Sequence, residues 1–200
     1  MFPVAGPPQT GPGVEIDMDE SLALRTPLTA EICAGLRVGD MVLLSGEVYT
    51  ARDAAHSRLQ AAIRAGEQPP FPLEGAVIFY AGPTPAPPGR VIGAIGPTTS
   101  YRMDPFAPLL LARGVKGMIG KGKRSPEVID AIKRHQAVYF GAIGGIAALT
   151  ARCVRGAEMV AYEDLGPEAI LRLELVDLPV VVVNDARGRD LYEEAKKAGS

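Results

Sequence analysis

Cysteine and histidine are scarce in this chain. Two of each occur among 200 residues: Cys33, Cys153, His56 and His135. The cysteines lie far apart and neither sits in a Cys-x-x-Cys motif, which excludes a disulfide framework. With two isolated histidines they make no recognisable zinc site, and an iron-sulfur cluster normally takes at least three cysteine ligands. The chain alone is therefore expected to bind no metal, and its thiols read as the reduced thiols of a cytoplasmic protein. A charge excess is also lacking. The formal net charge is -2, so nothing points to nucleic acid or an anionic membrane as a partner. Long hydrophobic runs are missing too; the run Pro179–Val183 has only the length of a strand. The N-terminus lacks the basic region and continuous apolar stretch of a signal peptide, leaving cytoplasm as the expected compartment.

What is present is ordinary globular material: 47% hydrophobic and 22% charged residues, enough for a real core. Residues 1–20, rich in Pro and Gly, read as a flexible arm, and residues 21–200 as one domain. SLALRTPLT reads as a strand, and LRVGDMVLLSGEVYT as two short strands joined near Gly39. TARDAAHSRLQAAIRAG is the clearest helix, with Thr50 as N-cap and Asp53 as a capping-box variant. Arg52 falls in its first turn, which the helix dipole disfavours, so Arg52 serves another purpose. GAVIFYAGPTP and APPGRVIGAIGPTTS each read as an apolar strand running into a Gly-Pro-Thr turn. A short helix, the strand VKGMIG, a helix from Ser125 and Pro126, and the strand AVYFGAIGG follow. IAALTARCVRGAE and GPEAILRLEL read as helices, MVAYEDLG and DLPVVVVND as strands, and ARGRDLYEEAKKAGS as a turn and tail. Strand and helix alternate in the later half, which predicts an α/β fold with layered sheets rather than a regular Rossmann chain.

Several motifs fail on inspection. GVKGMIGKGKRS is one residue too long for a phosphate loop, and Gly122 follows Lys121 where Ser or Thr is needed. GAIGG at 141–145 lacks dinucleotide-binding spacing. No Ser sits in Gly-x-Ser-x-Gly, and neither histidine has a triad partner. What remains is a set of cations and hydroxyls on turns after strands: Arg52, Thr98, Thr99, Arg102 and Lys121. Ends of strands are where α/β proteins place sites. Arginine can grip a carboxylate with two hydrogen bonds, so this set suits a small dianion. A threonine hydroxyl beside it can act on carbon if its proton is made labile.

Five stretches in uninterrupted order carry a resemblance: LRVGDMVLLSGEVYTARDAAHSRL, GPTTSYRMDPFAP, GMIGKGKRS, AIGGIAAL and AYEDLGPEAI. Over residues 21–192 the chain resembles the β subunit, or C-terminal domain, of the iron-sulfur-dependent class I fumarases and L(+)-tartrate dehydratases. The resemblance implies a swivelling β/β/α domain. It also implies a partner, an α subunit whose three cysteines hold a [4Fe-4S] cluster, in an α2β2-type assembly. The cluster's open iron would serve as a Lewis acid toward a dicarboxylate. It implies reversible hydration of fumarate to L-malate, or dehydration of tartrate to oxaloacetate. Fumarate is preferred only as the commoner substrate of central metabolism. A non-catalytic, partner-binding domain is the reading of a different class.

Carried over position by position, the resemblance makes Arg52 an active-site contact and Thr98 the base that takes a proton from the carbon next to a carboxylate. Thr99 lies beside it, Arg102 binds a carboxylate, and Lys121 contacts substrate. Asp53 and His56 are possible supporting residues; each also has a purely structural reading, as a cap and as a core histidine. The family often has Gly where this chain has Tyr101, and Asn where it has Lys123, so Tyr101 would narrow access.

Overall fold

The computed structural model describes residues 21–142 and 147–198. The arm at 1–20, residues 143–146, which include the last three of the Gly-Ala-Ile-Gly-Gly turn, and residues 199–200 lie outside the described residues. The elements in order are β1 Leu22–Arg25, α1 Ala30–Gly35, β2 Met41–Thr50, α2 Asp53–Arg64 and β3 Val77–Phe79. A 3-10 turn at Ser100–Met103, α3 Ala107–Ala112, β4 Gly117–Gly120, α4 Pro126–His135 and β5 Val138–Ala142 follow. The chain continues with α5 Ala147–Cys153, β6 Val154–Ala161, a 3-10 turn at Glu163–Glu168, β7 Ile170–Asn184 and α6 Leu191–Ala198.

The strands form one mixed sheet in the order β1-β2-β3-β4-β5-β7-β6, with a further ladder between β2 and β7. β1 to β5 pair in parallel, and β7 runs antiparallel to β2, β5 and β6. The β2–β7 ladder joins β2, β3, β4, β5 and β7 into a ring. Side chains alternate across it. Val77 and Phe79 of β3, Ile119 of β4, Val138 and Phe140 of β5 and Val180 and Val182 of β7 share one core. Ile78, Met118, Tyr139 and Val183 point the other way, into a second core with α2, α3 and α4. Period-two alternation thus fills both faces, each fully buried aliphatic contributing about 1.5–3 kcal/mol.

Helix α4 forms as its sequence predicts. Ser125 Oγ accepts from Val128 N at 3.4 Å, Pro126 occupies the first turn, and Lys133 and Arg134 lie in the last. Other stretches differ. LRVGDMVLLSGEVYT holds one ten-residue strand preceded by a turn, not two strands, and Gly39 only donates its N–H to Val182 O at 2.9 Å. Thr50 does not cap α2. Its hydroxyl is buried and accepts from Leu171 N at 3.0 Å, so Arg52 takes the N-cap position with no side-chain bond. Residues 91–95 form no named strand. GPEAILRLEL starts a fifteen-residue strand rather than a helix, because β2 and β6 pair with its two edges. The helix predicted over IAALTARCVRGAE stops at Cys153, where β6 begins. The tail contains α6. Among the described residues no helix is long and apolar enough to cross a membrane.

Candidate active site

Three parallel strands end side by side. The registers pair Thr50 with Phe79, and Phe79 with Ile119. Immediately beyond these ends lie Arg52, the Gly82-Pro83 turn and Lys121. The second Gly-Pro-Thr turn is tied onto the same edge by its backbone. Thr98 N donates to Tyr80 O at 2.6 Å, and Lys121 N donates to Thr98 O at 3.4 Å. Ser100 N donates to Lys121 O at 2.9 Å, and Thr99 bridges Lys121 in parallel. Adjacent strand ends and this bridging thus bring Thr98, Thr99 and Lys121 together, although 20 residues or more separate the two segments.

Arg52 and Arg102 join them through α2. Asp53, the first residue of α2, forms an ion pair with Arg102, its Oδ1 2.9 Å from Nε. This holds the arginine of the 3-10 turn against the helix start, and its terminal nitrogens make no ion pair or hydrogen bond among the described residues. Arg52 lies against Gly82, where a Cβ would come within 3.1 Å of its Cδ and Nη1. Sequence reasoning overlooked Glu168. Its carboxylate accepts from Ala54 N at 2.9 Å, capping α2, and stands 3.6 Å from Arg52 Nη2. Its acidity six residues after the Tyr162 turn carried no sequence signal, because the contact spans 114 positions. No hydrogen bond or ion pair among the described residues engages the Thr98 and Thr99 hydroxyls or the Lys121 ammonium. Three cations, Arg52, Arg102 and Lys121, therefore face two carboxylates, Asp53 and Glu168, and the edge keeps a positive balance.

His56 lies beneath this edge, wholly buried. Its Nδ1 is 2.9 Å from Arg52 O, and its ring meets the Tyr80 ring edge-on at 5.3 Å. Burial pushes its pKa down from 6.5 to about 4, against the pull of the Arg52 carbonyl. The ring is therefore neutral near pH 7 and donates Nδ1–H to that carbonyl. Enclosed in this way, it supports Arg52 from below. Tyr101, by contrast, stands 65% exposed beside Arg102, and Lys123 pairs with Glu193 at 2.8 Å.

Seven buried side-chain polar atoms among the described residues lack a partner. Four of them, Arg52 Nε, Asp53 Oδ2, His56 Nε2 and Arg124 Nη2, belong to this edge and the layer beneath it. Unpaired buried polar atoms are costly, so their gathering sets this edge and the layer beneath it apart among the described residues. A groove of about 650 Å³ lies elsewhere, lined by residues such as Arg25, Glu47 and Arg172, and holds none of the candidate residues. Arg102 and Lys121 are exposed and Arg52, Thr98 and Thr99 half-buried, so the chemistry-bearing edge is open to solvent.

The described residues do not fit a [4Fe-4S] cluster. No three His, Cys, Asp or Glu residues gather to hold a metal ion. Cys33 is fully buried with Sγ 3.6 Å from Lys116 O, and burial pushes its thiol up to about 11. Cys153 lies apart, at the end of α5, 3.7 Å from Asp177 O.

A protein family described as "Fumarase C-terminus" matches residues 7–195. The anaerobic class I fumarate hydratase of Escherichia coli is 38% identical over 93% of this chain and 34% of its own length. Fumarate hydratase 2 of Leishmania major is 38% identical over 78% of the chain and 28% of its own. A Methanocaldococcus jannaschii protein, provisionally named L(+)-tartrate dehydratase subunit beta, is 36% identical over 85% of the chain and 90% of its own. The chain thus spans about a third of the length of the fumarate hydratases it matches.

Proposed function

The chain belongs to the fumarase C-terminus family, and on that premise we propose that it is the β part of a two-part hydro-lyase. Its reaction is the reversible hydration of fumarate to L-malate. The observation that carries this reading is the open edge where Arg52, Thr98, Thr99, Arg102 and Lys121 meet with their hydroxyls and ammonium unengaged. A cationic edge without walls suits a dianion held between two bodies. The domain, of the swivelling β/β/α type on this reading, carries one half, and an α subunit carries the other half and the [4Fe-4S] cluster. The match to nine-tenths of a protein named as a subunit beta supports the two-part form.

This chain's contribution follows from its groups. In the dehydration direction, Arg102 holds one carboxylate of malate through the nitrogens that Asp53 leaves free. Thr98 Oγ takes the proton from the adjacent carbon. The electron pair left behind spreads into the held carboxylate, where Arg102 stabilises the growing charge, and then closes the carbon–carbon double bond as the C–O bond of the neighbouring carbon breaks. The hydroxyl leaves on the α-subunit side, where the cluster would supply Lewis-acid chemistry. Lys121 and Arg52 supply the positive field that favours an alkoxide at Thr98. In hydration, Thr98 returns the proton to the same carbon. His56 and Asp53 hold Arg52 and Arg102 in place rather than touching substrate.

The test is co-expression with a cysteine-bearing α subunit, followed by anaerobic assays of fumarate, malate and both tartrates. Turnover of fumarate, with Thr98→Ala lowering kcat by about 10²-fold or more at similar KM, is the expected result. Full activity of Thr98→Ala, or of this chain alone, overturns the reading. Turnover of L(+)-tartrate in place of fumarate moves the substrate and keeps the residue roles.

A further inference from the structure

The loop carrying Thr98 and the loop carrying Lys121 are joined by side chains as well as backbone, and none of those side chains belongs to the candidate set. Ser100, fully buried, has its Oγ 2.8 Å from Tyr139 Oη. Tyr139 Oη donates to Gly122 O at 3.0 Å, so Ser100 is the donor in the first bond. One phenol on the interior strand β5 therefore fastens both loops: Ser100, two residues after Thr98, and Gly122, next to Lys121. Burial pushes the Tyr139 phenol well above its usual range, which keeps its proton in place as the donor.

A second fastening lies two to four residues further along the two loops. Asp104 accepts from Arg124 Nε and from Ser125 N, each at 2.7 Å. The Arg124 side chain is fully enclosed. Its guanidinium lies 5.2 Å from the Tyr80 ring centre and 4.9 Å from that of Tyr139. A buried charge is retained only where it is paired and enclosed, and this one is spent on holding two loops at a fixed separation. Tyr139 takes part in both fastenings, through its hydroxyl in the first and its ring face in the second.

Close packing leaves the arrangement no slack. A Cβ on Gly120 would overlap Ser100 Oγ and meet the Tyr80 ring at 3.0 Å. Thr98 and Lys121 sit on the outer ends of these fastened segments, and their side chains make no hydrogen bond or ion pair among the described residues.

Resting on the reading of Thr98 and Lys121 as reacting and binding groups, we propose that Tyr139, Ser100 and the Arg124–Asp104 pair are positioning residues. They set the distance between the Thr98 hydroxyl and the Lys121 ammonium. Their loss lowers kcat more than it raises KM, because Arg102, on the same loop between Ser100 and Asp104, keeps its own ion pair with Asp53. Misplacing a reacting group by about 1 Å can cost about 10²-fold in rate.

Tyr139→Phe is the decisive variant, since it keeps the ring over Arg124 and removes only the hydroxyl. In the assembled enzyme it should lower kcat about 10-fold or more with KM within about twofold. Ser100→Ala should do the same, and the double variant should be no worse than either alone, because both cut one fastening. Val182→Ala, a truncation in the other core, controls for lost stability and should leave kcat unchanged. Amide hydrogen exchange on the full chain supplies a readout that does not need the partner or the reaction. Tyr139→Phe should speed exchange at Ser100 N and Lys121 N while the β2–β7 ladder stays protected. Unchanged exchange at those two amides, or wild-type kcat in an active Tyr139→Phe enzyme, overturns the proposal. Accelerated exchange in a complex that turns over no dicarboxylate upholds the fastening and overturns only the catalytic reading of Thr98.

Discussion

His56 makes acid sensitivity a local property of this edge. Its pKa is pushed from 6.5 to about 4, first by burial and then by the nearby Arg124 charge. The unfolded chain takes up this proton as pH falls through 6.5, while the native chain refuses it until about pH 4. Stability associated with the neutral ring is therefore fully present above pH 6.5 and lost as pH falls to 4. One pH unit corresponds to about 1.4 kcal/mol, so this single residue removes roughly 2 kcal/mol by about pH 5 and roughly 3 kcal/mol by about pH 4. His56→Asn keeps an N–H donor for Arg52 O and cannot titrate. Urea unfolding at several pH values between about 7 and 4, for both chains, isolates the effect. Carboxylates titrate in both, so the difference curve belongs to His56. The variant starts less stable at pH 7, because it leaves space beside Tyr80 and Phe106. Its stability should then fall less steeply than the wild type's, and the two curves should converge. Parallel curves would show that His56 titrates normally in the native chain, and the account of a neutral ring bracing Arg52 would fail with them.

Asp53→Asn weakens the 2.9 Å anchor of Arg102; KM for the dicarboxylate should rise about 10-fold while the melting temperature barely moves, because a half-exposed pair contributes only about 0.2–1 kcal/mol. Steady-state kinetics beside a thermal melt checks both, and an unchanged KM removes Asp53 from the site. Gly120→Ala drives a methyl into Ser100 Oγ and the Tyr80 ring, so it should destabilise the chain by about 1–3 kcal/mol in urea; wild-type stability would mean that the two loops are not tightly packed there.

Long-range pairing explains where sequence reading succeeded and where it failed. Helix α4 announces itself because Ser125, Pro126 and the basic last turn act within ten residues. After Gly166 and Pro167 the stretch GPEAILRLEL is rich in helix formers, yet Leu173 and Leu175 face the inner core, the one shared with Val77, Phe79 and Val180, while β2 and β6 take its backbone groups. Pairing on both edges outweighs a propensity of a few tenths of a kcal/mol per residue. VIGAI has strand composition but no ladder partner; Ile92 and Ile95 are instead buried as plugs in the inner core, and Thr84 N bonds Ala94 O at 3.0 Å. Thr50 looks like a cap because Asp53 follows three residues later. The hydroxyl is instead consumed at the start of β7, 121 positions away.

The same distinction separates the two kinds of residue at the candidate site. Arg52, Thr98, Thr99, Arg102 and Lys121 stand out in the sequence as polar residues on turns, Arg52 and Lys121 directly after strands and Thr98, Thr99 and Arg102 after a Gly-Pro pair that follows no strand. Glu168, Ser100, Tyr139 and Arg124 do not, because each looks ordinary where it stands in the chain. A tyrosine in an apolar strand reads as core, and Arg124 reads as one more basic residue after Lys121 and Lys123. Their meaning arises only when β4 and β5 lie in register and the Thr98 loop folds back onto them. Groups proposed to meet substrate therefore leave a sequence signal, whereas groups proposed to hold them in place leave theirs only in the packing. The GPTP turn at 82–85 fits this division. Gly82 gives Arg52 its bed, and the turn lacks the second threonine and the arginine that would make it a second site.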